Sequence, residues 1–244
     1  MERIPQQRPP GGPGRGADDV RDLLVLASEE LRGPLTSVSG YLQVLLDGEV
    51  GELGPGQHRV AAIAARNAER MERLVDDLIV VAQLQAGAPA TDPLDLGALV
   101  RDRVRTAAGS AEARGVMIGA GSEPCPPVAG DVISLGQAVD YLLQHAIGFS
   151  MPGGTVEALA CAAGPGEVAV EVRDQGIPLE PGEVGELFAG RTAPAHAGPR
   201  GMLGSRLGLY LVRMVAEAHG GRAEAECGDD GGTRLRMVLP ALGS

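Results

Sequence analysis

Two stretches of this chain repeat apolar residues every seven positions, and that repeat limits the folds open to it. Between Asp18 and Asp47, Leu24, Leu31, Val38 and Leu45 form one row, with Ser28, Leu35 and Leu42 four positions further on. Between Pro55 and about Gln85, Val60, Asn67, Leu74 and Val81 repeat likewise, with Ala64, Met71 and Leu78 beside them. A two-row seam at this spacing is the pattern of helices packed in a coiled-coil-like bundle. Asn67 is the polar member of its row, and a seam asparagine can fix register. The intervening DGEVGELGPGQ, with four glycines and a proline, breaks the pattern into a helical hairpin. Two antiparallel helices leave such seams unburied, so the expected solution is a four-helix bundle made by a homodimer.

The first pattern has a defect: Gly33-Pro34 sits in its middle. A helix interior loses about 3 kcal/mol to proline and about 1 kcal/mol to glycine. A pair of this kind marks a functional kink or a helix end.

Composition sets outer bounds. The 244 residues are 44% hydrophobic, enough for one or two domains with a real core. Aromatics are 2% and Trp is absent, so Leu, Val, Ile, Met and Ala must build that core. The net charge of −11 repels phosphate backbones and argues against general nucleic-acid binding. Cys125, Cys161 and Cys227 have no metal or redox spacing, so we expect reduced thiols and no metal site of their own. No run approaches the ~18 apolar residues of a membrane span, and no signal-peptide pattern opens the chain. The expectation is a cytoplasmic protein without a membrane span. Residues 1–17 are rich in Pro, Gly, Arg and Gln and are expected to be a disordered tail.

Residues 18–87 form the hairpin, 88–95 read as a linker, and 96–244 as a second domain of different character. There, Leu96 to about Arg114 reads as a helix, GVMIGA as a short strand, and Gln137 to Phe149 as a helix. GTVEALACAA and EVAVEVRDQG alternate around GPG as a hairpin. SRLGLYLVRMVAEAHGG reads as a helix ended by Gly220-Gly221. GRAEAEC and GTRLRMVLP make a last strand pair. The fold class is α+β: a helical hairpin, then a sandwich with helices on one sheet face.

The order of these segments carries a resemblance. ASEELRGPLTSVSGYLQVLLDGEVGELGPGQ and RNAERMERLVDDLIVVAQLQAG resemble the two helices of a phospho-acceptor hairpin. QAVDYLLQHAIGFS resembles an asparagine box, and VRDQGIPLE a first glycine box. ELF resembles a phenylalanine box, and GSRLGLYLVRMVAEAHGG a second glycine box. Over roughly residues 20–242 the chain resembles the cytoplasmic core of sensor histidine kinases. The resemblance implies a dimerisation and phospho-acceptor hairpin followed by a Bergerat-type ATP-binding domain, with ATP and Mg²⁺ as cofactors.

The departures from the family pattern fall on the chemistry. The acceptor motif H-E-x-x-[TN]-P reads E-E-L-R-G-P here, so Glu29 stands at the phosphorylated histidine. Glu30 matches the acid that assists that histidine, and Gly33 replaces the Thr or Asn used in dephosphorylating a partner. A neutral imidazole attacks a γ-phosphate near neutral pH, whereas a carboxylate is anionic and weakly nucleophilic. Glu29 is therefore a solvated remnant, a partial mimic of phosphohistidine, or an unusual acyl-phosphate acceptor.

In the ATP domain, Tyr141 and His145 occupy the two Asn positions of the asparagine box. The second binds Mg²⁺ in the family; His145 is either structural or a ligand better suited to softer ions. Gly148 replaces a basic residue. Asp174 keeps the position that hydrogen-bonds the adenine amino group, and Gly176 keeps one close-approach glycine. The final glycine pattern reads Gly204, Arg206, Gly208, where Arg206 is a cation near phosphates or a plain surface residue. Gly232-Thr233 matches the last turn, and residues 189–203 resemble a short mobile lid.

These residues imply a degenerate histidine kinase acting as a dimeric scaffold or regulator in two-component signalling. Its partners would be a response regulator or an active histidine kinase, and its nucleotide binding weak or absent. The alternative is an ATP-binding kinase that phosphorylates a partner in trans. A third reading, phosphotransfer through the bundle, would have to use His58 at the turn end, which lacks the surrounding motif.

Overall fold

The computed structural model describes residues 15–85, 92–176, 187–188, 206–228 and 231–243. Most of the tail and the lid lie outside the described residues. The chain divides into two compact units, Met1–Gly87 and Ala88–Ser244.

The first unit is a hairpin of α1 (Arg15–Leu46) and α2 (Pro55–Gln85). The helix thus begins three residues before Asp18. It runs through Pro34, so the Gly33-Pro34 pair is not a helix end. Pro34 has no amide hydrogen for the carbonyl four residues back, and a glycine before it carries no Cβ to collide with the ring. Gly54-Pro55 opens α2 with proline at its first position, and the Gln57 side chain accepts the Gly54 amide at 2.9 Å.

The row buried between the two helices differs from the most conspicuous heptad. On α2 it is Ala61, Ala68, Val75 and Ala82, one residue on from Val60, Asn67, Leu74 and Val81. On α1, Ser28 is fully buried and bonds the Leu24 carbonyl at 2.7 Å. Small side chains let the helices approach closely. The larger Leu31, Val38, Val60, Met71 and Leu74 remain exposed on the single chain. Asn67 is exposed and donates to the Ile63 carbonyl of its own helix, so it fixes no register within the hairpin. Arg32 to Asp76 (2.7 Å) and Ser39 to Glu72 (2.7 Å) cross-link the helices.

The second unit is built on a five-stranded sheet. Its elements are β1 (Asp92–Leu94), α3 (Leu96–Glu112), β2 (Met117–Ser122), β3 (Val128–Gly130), α4 (Val132–Phe149), β4 (Thr155–Gly164), β5 (Glu167–Asp174), α5 (Arg206–Ala218), β6 (Arg222–Cys227) and β7 (Thr233–Pro240). The order is β2-β4-β5-β7-β6, antiparallel except for the β2–β4 pair. Helices α3, α4 and α5 pack on it. The inward row on β5 is Val168, Val170 and Val172, facing Leu235, Met237 and Leu239 of β7 in register. This confirms the α+β class, with a helical region followed by a sheet domain. The outer face is charged: Glu171 is nearly buried among Arg173, Arg234 and Arg236.

One expectation needs correction. The end of the segment read as a linker is structured: β1 pairs antiparallel with β3, Asp92 opposite Gly130 and Leu94 opposite Val128. Three residues are too few to show strand alternation, and Pro93 is tolerated because the strand is an edge. Asp95, also in that segment, caps α3 by accepting from Ala98 N at 3.0 Å. Asp131 caps α4 in the same way through Ser134 N at 2.7 Å. Helix α5 ends as expected: Gly220 has φ +74, and Gly221 N reaches Ala216 O at 2.8 Å.

Candidate functional site

In the hairpin, Glu29 and Glu30 follow the buried Ser28 on α1 and are both exposed. A helix turns about 100° per residue, so a glutamate next to a buried position lies on the flank. Gly33 is exposed, and a Cβ there would meet nothing within 4 Å. Packing therefore leaves room for the Thr or Asn of the family pattern. Along α1, position 29 is followed by the exposed Glu30 and by Arg32, which pairs with Asp76 of α2.

In the sheet domain the described site residues come from four elements. Asp174 ends β5 and stands opposite Thr233, the first residue of β7. Both are buried, at 5% and 3% exposure. Asp174 Oδ1 accepts the Gly176 amide at 2.8 Å. Its Oδ2 is buried without a hydrogen-bond partner. Burial pushes this carboxyl up to about 6, against the pull of the Gly176 and Thr233 amides. Two glycines beside it pack closely against the protein's own backbone. A Cβ on Gly176 would stand 2.4 Å from the Phe149 carbonyl oxygen, and one on Gly232 1.7 Å from the Asp174 carbonyl oxygen.

Helix α4 supplies Tyr141 and His145. Tyr141 is buried, and its hydroxyl accepts from the Gln137 amide at 3.2 Å. Its ring lies against Gly208 of α5, where a Cβ would meet Cδ1 at 2.8 Å. Gly208 thus serves the approach of α5 to α4. His145 is 9% exposed and stacks on Phe149 with ring centroids 4.4 Å apart. Burial pushes it down to about 4, so the ring is neutral near neutral pH. Gly148 brings no cation. Arg206 is the first residue of α5, its side chain outside the described residues, as is Gly204.

The adenine end and the metal end fit the expected ligands differently. An orphaned buried acceptor at Asp174 suits an incoming N–H donor such as an adenine amino group. Mg²⁺ seeks oxygen ligands in octahedral geometry at about 2.1 Å. A buried, stacked imidazole and a tyrosine hydroxyl engaged by Gln137 do not fit that ion. Sequence reasoning overlooked Gln137 and Phe149, although each lies four residues from its partner on one helix face. In the hairpin it likewise overlooked Asp77, which is fully buried on α2.

Comparison with known proteins agrees with this geometry. Residues 20–87 match the His Kinase A (phospho-acceptor) domain. Residues 130–243 match the histidine kinase-, DNA gyrase B- and HSP90-like ATPase family. Sensor protein DivL of Caulobacter vibrioides is 32% identical over 90% of this chain and 28% of its own length. Sensor histidine kinase TrcS of Mycobacterium tuberculosis is 33% identical over 91% of this chain and 44% of its own length. The chain therefore spans less than half the length of these curated relatives. Among solved structures, full-length ShkA in complex with AMPPNP superposes with a TM-score of 0.65 at 24% identity, covering 91% of this chain and 46% of that one. The mycobacterial sensor histidine kinase MprB gives 0.55 at 28% identity over 62% of this chain and 98% of that one. No helix among the described residues is long and apolar enough to cross a membrane. With a phospho-acceptor domain and a histidine-kinase-type ATPase domain in that order on one chain, the protein is a homologue of sensor histidine kinases and a member of the two-component histidine kinase family.

Proposed function

We propose that this protein is a catalytically degenerate histidine kinase that works as a dimeric scaffold or regulator in two-component signalling. The observation that carries the reading is Glu29, an exposed carboxylate on α1 where the resemblance puts the acceptor histidine. It cannot form a phosphoramidate, and its own charge opposes attack on a polyanionic phosphate. Glu30 then has no imidazole to assist, and Gly33 has no side chain to hold a water for dephosphorylation.

The exposed Leu31, Val38, Val60, Met71 and Leu74 support dimerisation, because they leave the hairpin a large apolar face for a second copy. Along the flank that carries Glu29, α1 would dock a response regulator or pair with an active kinase. The protein would act in the cytoplasm.

A second reading keeps the ATP domain active on a partner's histidine in trans. The unpartnered Asp174 Oδ2 favours retained base recognition. Tyr141, His145 and Gly148 at the phosphate and metal positions weigh against transfer. Each lost charged contact costs about 1.5–3 kcal/mol.

The test is incubation of the protein with γ-labelled ATP and Mg²⁺, alone and with a histidine-bearing hairpin from an active kinase. No acid-labile phosphate is expected on either. Label on the added hairpin establishes the trans kinase. A hydroxylamine-sensitive label at Glu29 establishes an acyl-phosphate enzyme.

A further inference from the structure

The five-stranded sheet has two edges, β2 and β6, and they are built differently. β6 carries Arg222, Glu224 and Glu226, tied by ion pairs to Glu167, Arg236 and Arg234 in that order. Charges of this kind keep an edge from pairing with another chain. β2 reads Met-Ile-Gly-Ala-Gly-Ser from Met117 to Ser122, with no charge, no proline and an unbroken register against β4.

The ladder shows which groups of β2 face outward. Met117 N reaches Gly154 O at 2.9 Å, and Glu123 N reaches Ala160 O at 3.0 Å. Main-chain groups of successive strand residues point to alternate sides, so the odd-numbered positions serve β4. Ile118, Ala120 and Ser122 therefore turn their N–H and C=O groups away from it. Among the described residues no strand lies on that side. Ala120 and Gly121 are exposed, and a Cβ on Gly119 would meet nothing within 4 Å.

We propose that this edge pairs with the same edge of a second copy, antiparallel about a twofold axis at Ala120. The strand is complementary to itself in that register. Ala120 faces Ala120 and Ile118 faces Ser122, at the positions where the two strands exchange N–H···O bonds. Gly119 faces Gly121 at the alternate positions, where Cα atoms approach to about 4.5 Å and larger side chains would crowd. The chain is acidic overall, so most of its surface repels a second copy. Here Glu123 falls opposite Met117, and the two Glu123 residues lie about 20 Å apart. The contact is small and mostly main chain, which makes it weak, with a Kd of about 100 μM. It belongs to the sheet domain and not to the hairpin, so a chain that uses both contacts assembles beyond a dimer.

Sedimentation equilibrium of the full chain from about 10 μM to about 500 μM tests this. The average mass is expected to climb toward twice its value at the lower limit, whatever that value is. Hydrogen exchange at the amides of Ile118, Ala120 and Ser122 is expected to slow by about threefold over the same range. Because Ala120 faces itself, Ala120→Lys and Ala120→Glu each set like charges opposite one another and are expected to abolish the rise. Mixing the two variants in equal amounts is expected to restore it, which misfolded variants would not do. The wild-type exchange measurement needs no altered protein. A constant mass up to about 500 μM overturns the proposal. So does a rise that survives either substitution, a pair of variants that stays silent when mixed, or a rise that leaves exchange in β2 unchanged.

Discussion

At the scale of single residues, burial decides which groups titrate and where. Asp174 and Asp140 are both raised to about 6, mainly by desolvation, with Arg103 opposing the shift at Asp140. His145 is lowered to about 4 by desolvation. The signs are opposite. A raised carboxyl holds its proton more tightly folded than unfolded, so its contribution falls as pH rises from about 4 to about 6. A depressed histidine makes the unfolded chain bind more protons, so its contribution falls as pH drops from about 6.5 to about 4. Chemical denaturation across this range should therefore separate two variants. Relative to wild type, Asp174→Asn should gain stability on going from about pH 4 to about pH 7. His145→Asn should gain on going from about pH 7 to about pH 5. Parallel curves for wild type and both variants would mean that neither group is buried as described. The Tyr141–Gly208 contact makes a separate claim. Gly208→Ala places a Cβ 2.8 Å from the ring and should cost about 1–3 kcal/mol by overpacking. Adding Tyr141→Ala should return part of that loss, as a double-mutant cycle would read it.

At the scale of elements, the hairpin holds two apolar faces with different tasks. Ala61, Ala68, Val75 and Ala82 are buried in it, while Leu31, Val38 and Leu74 are exposed and, on the proposed reading, meet a second copy. Leu31→Glu or Leu74→Glu should then release monomers in light scattering at micromolar concentration with helicity kept, because each side chain is exposed on the single chain. A monomeric wild type would contradict the dimer, unless a partner chain restores the bundle. The sequence showed both helices and their turn, because long periodic segments with Gly and Pro punctuation are strong signals. The heptad rows were read as the seam of a bundle; the hairpin's own buried row, Ala61, Ala68, Val75 and Ala82, was not picked out, because large residues mark a heptad and small ones do not. The strands from Thr155 to Asp174 and from Arg222 to Pro240 were legible by alternation. β1 and β3 were not, since three-residue strands have no period to read. The resemblance assigned Asp174, Tyr141 and His145 to positions in the family motifs. That Tyr141 would turn to Gly208 and Gln137, and His145 to Phe149, depended on tertiary packing that no local pattern encodes.

At the scale of the whole molecule, the chain keeps a phospho-acceptor domain and an ATPase domain in order, and the proposed reading puts a changed residue in each: Glu29 and His145. On that reading the two changes are independent, one on α1 of the hairpin and one on α4 of the sheet domain. Repairing one should not restore the activity. The most direct test is Glu29→His in the full chain, incubated with γ-labelled ATP and Mg²⁺. The substitution returns the nucleophile to an exposed helix position where no packing opposes it. It leaves Tyr141, His145 and Gly148 in place. The account predicts no acid-labile phosphate on this variant by itself, and label only when a competent kinase domain is supplied in trans. Autophosphorylation of Glu29→His without that help would show a working ATP site and contradict the account.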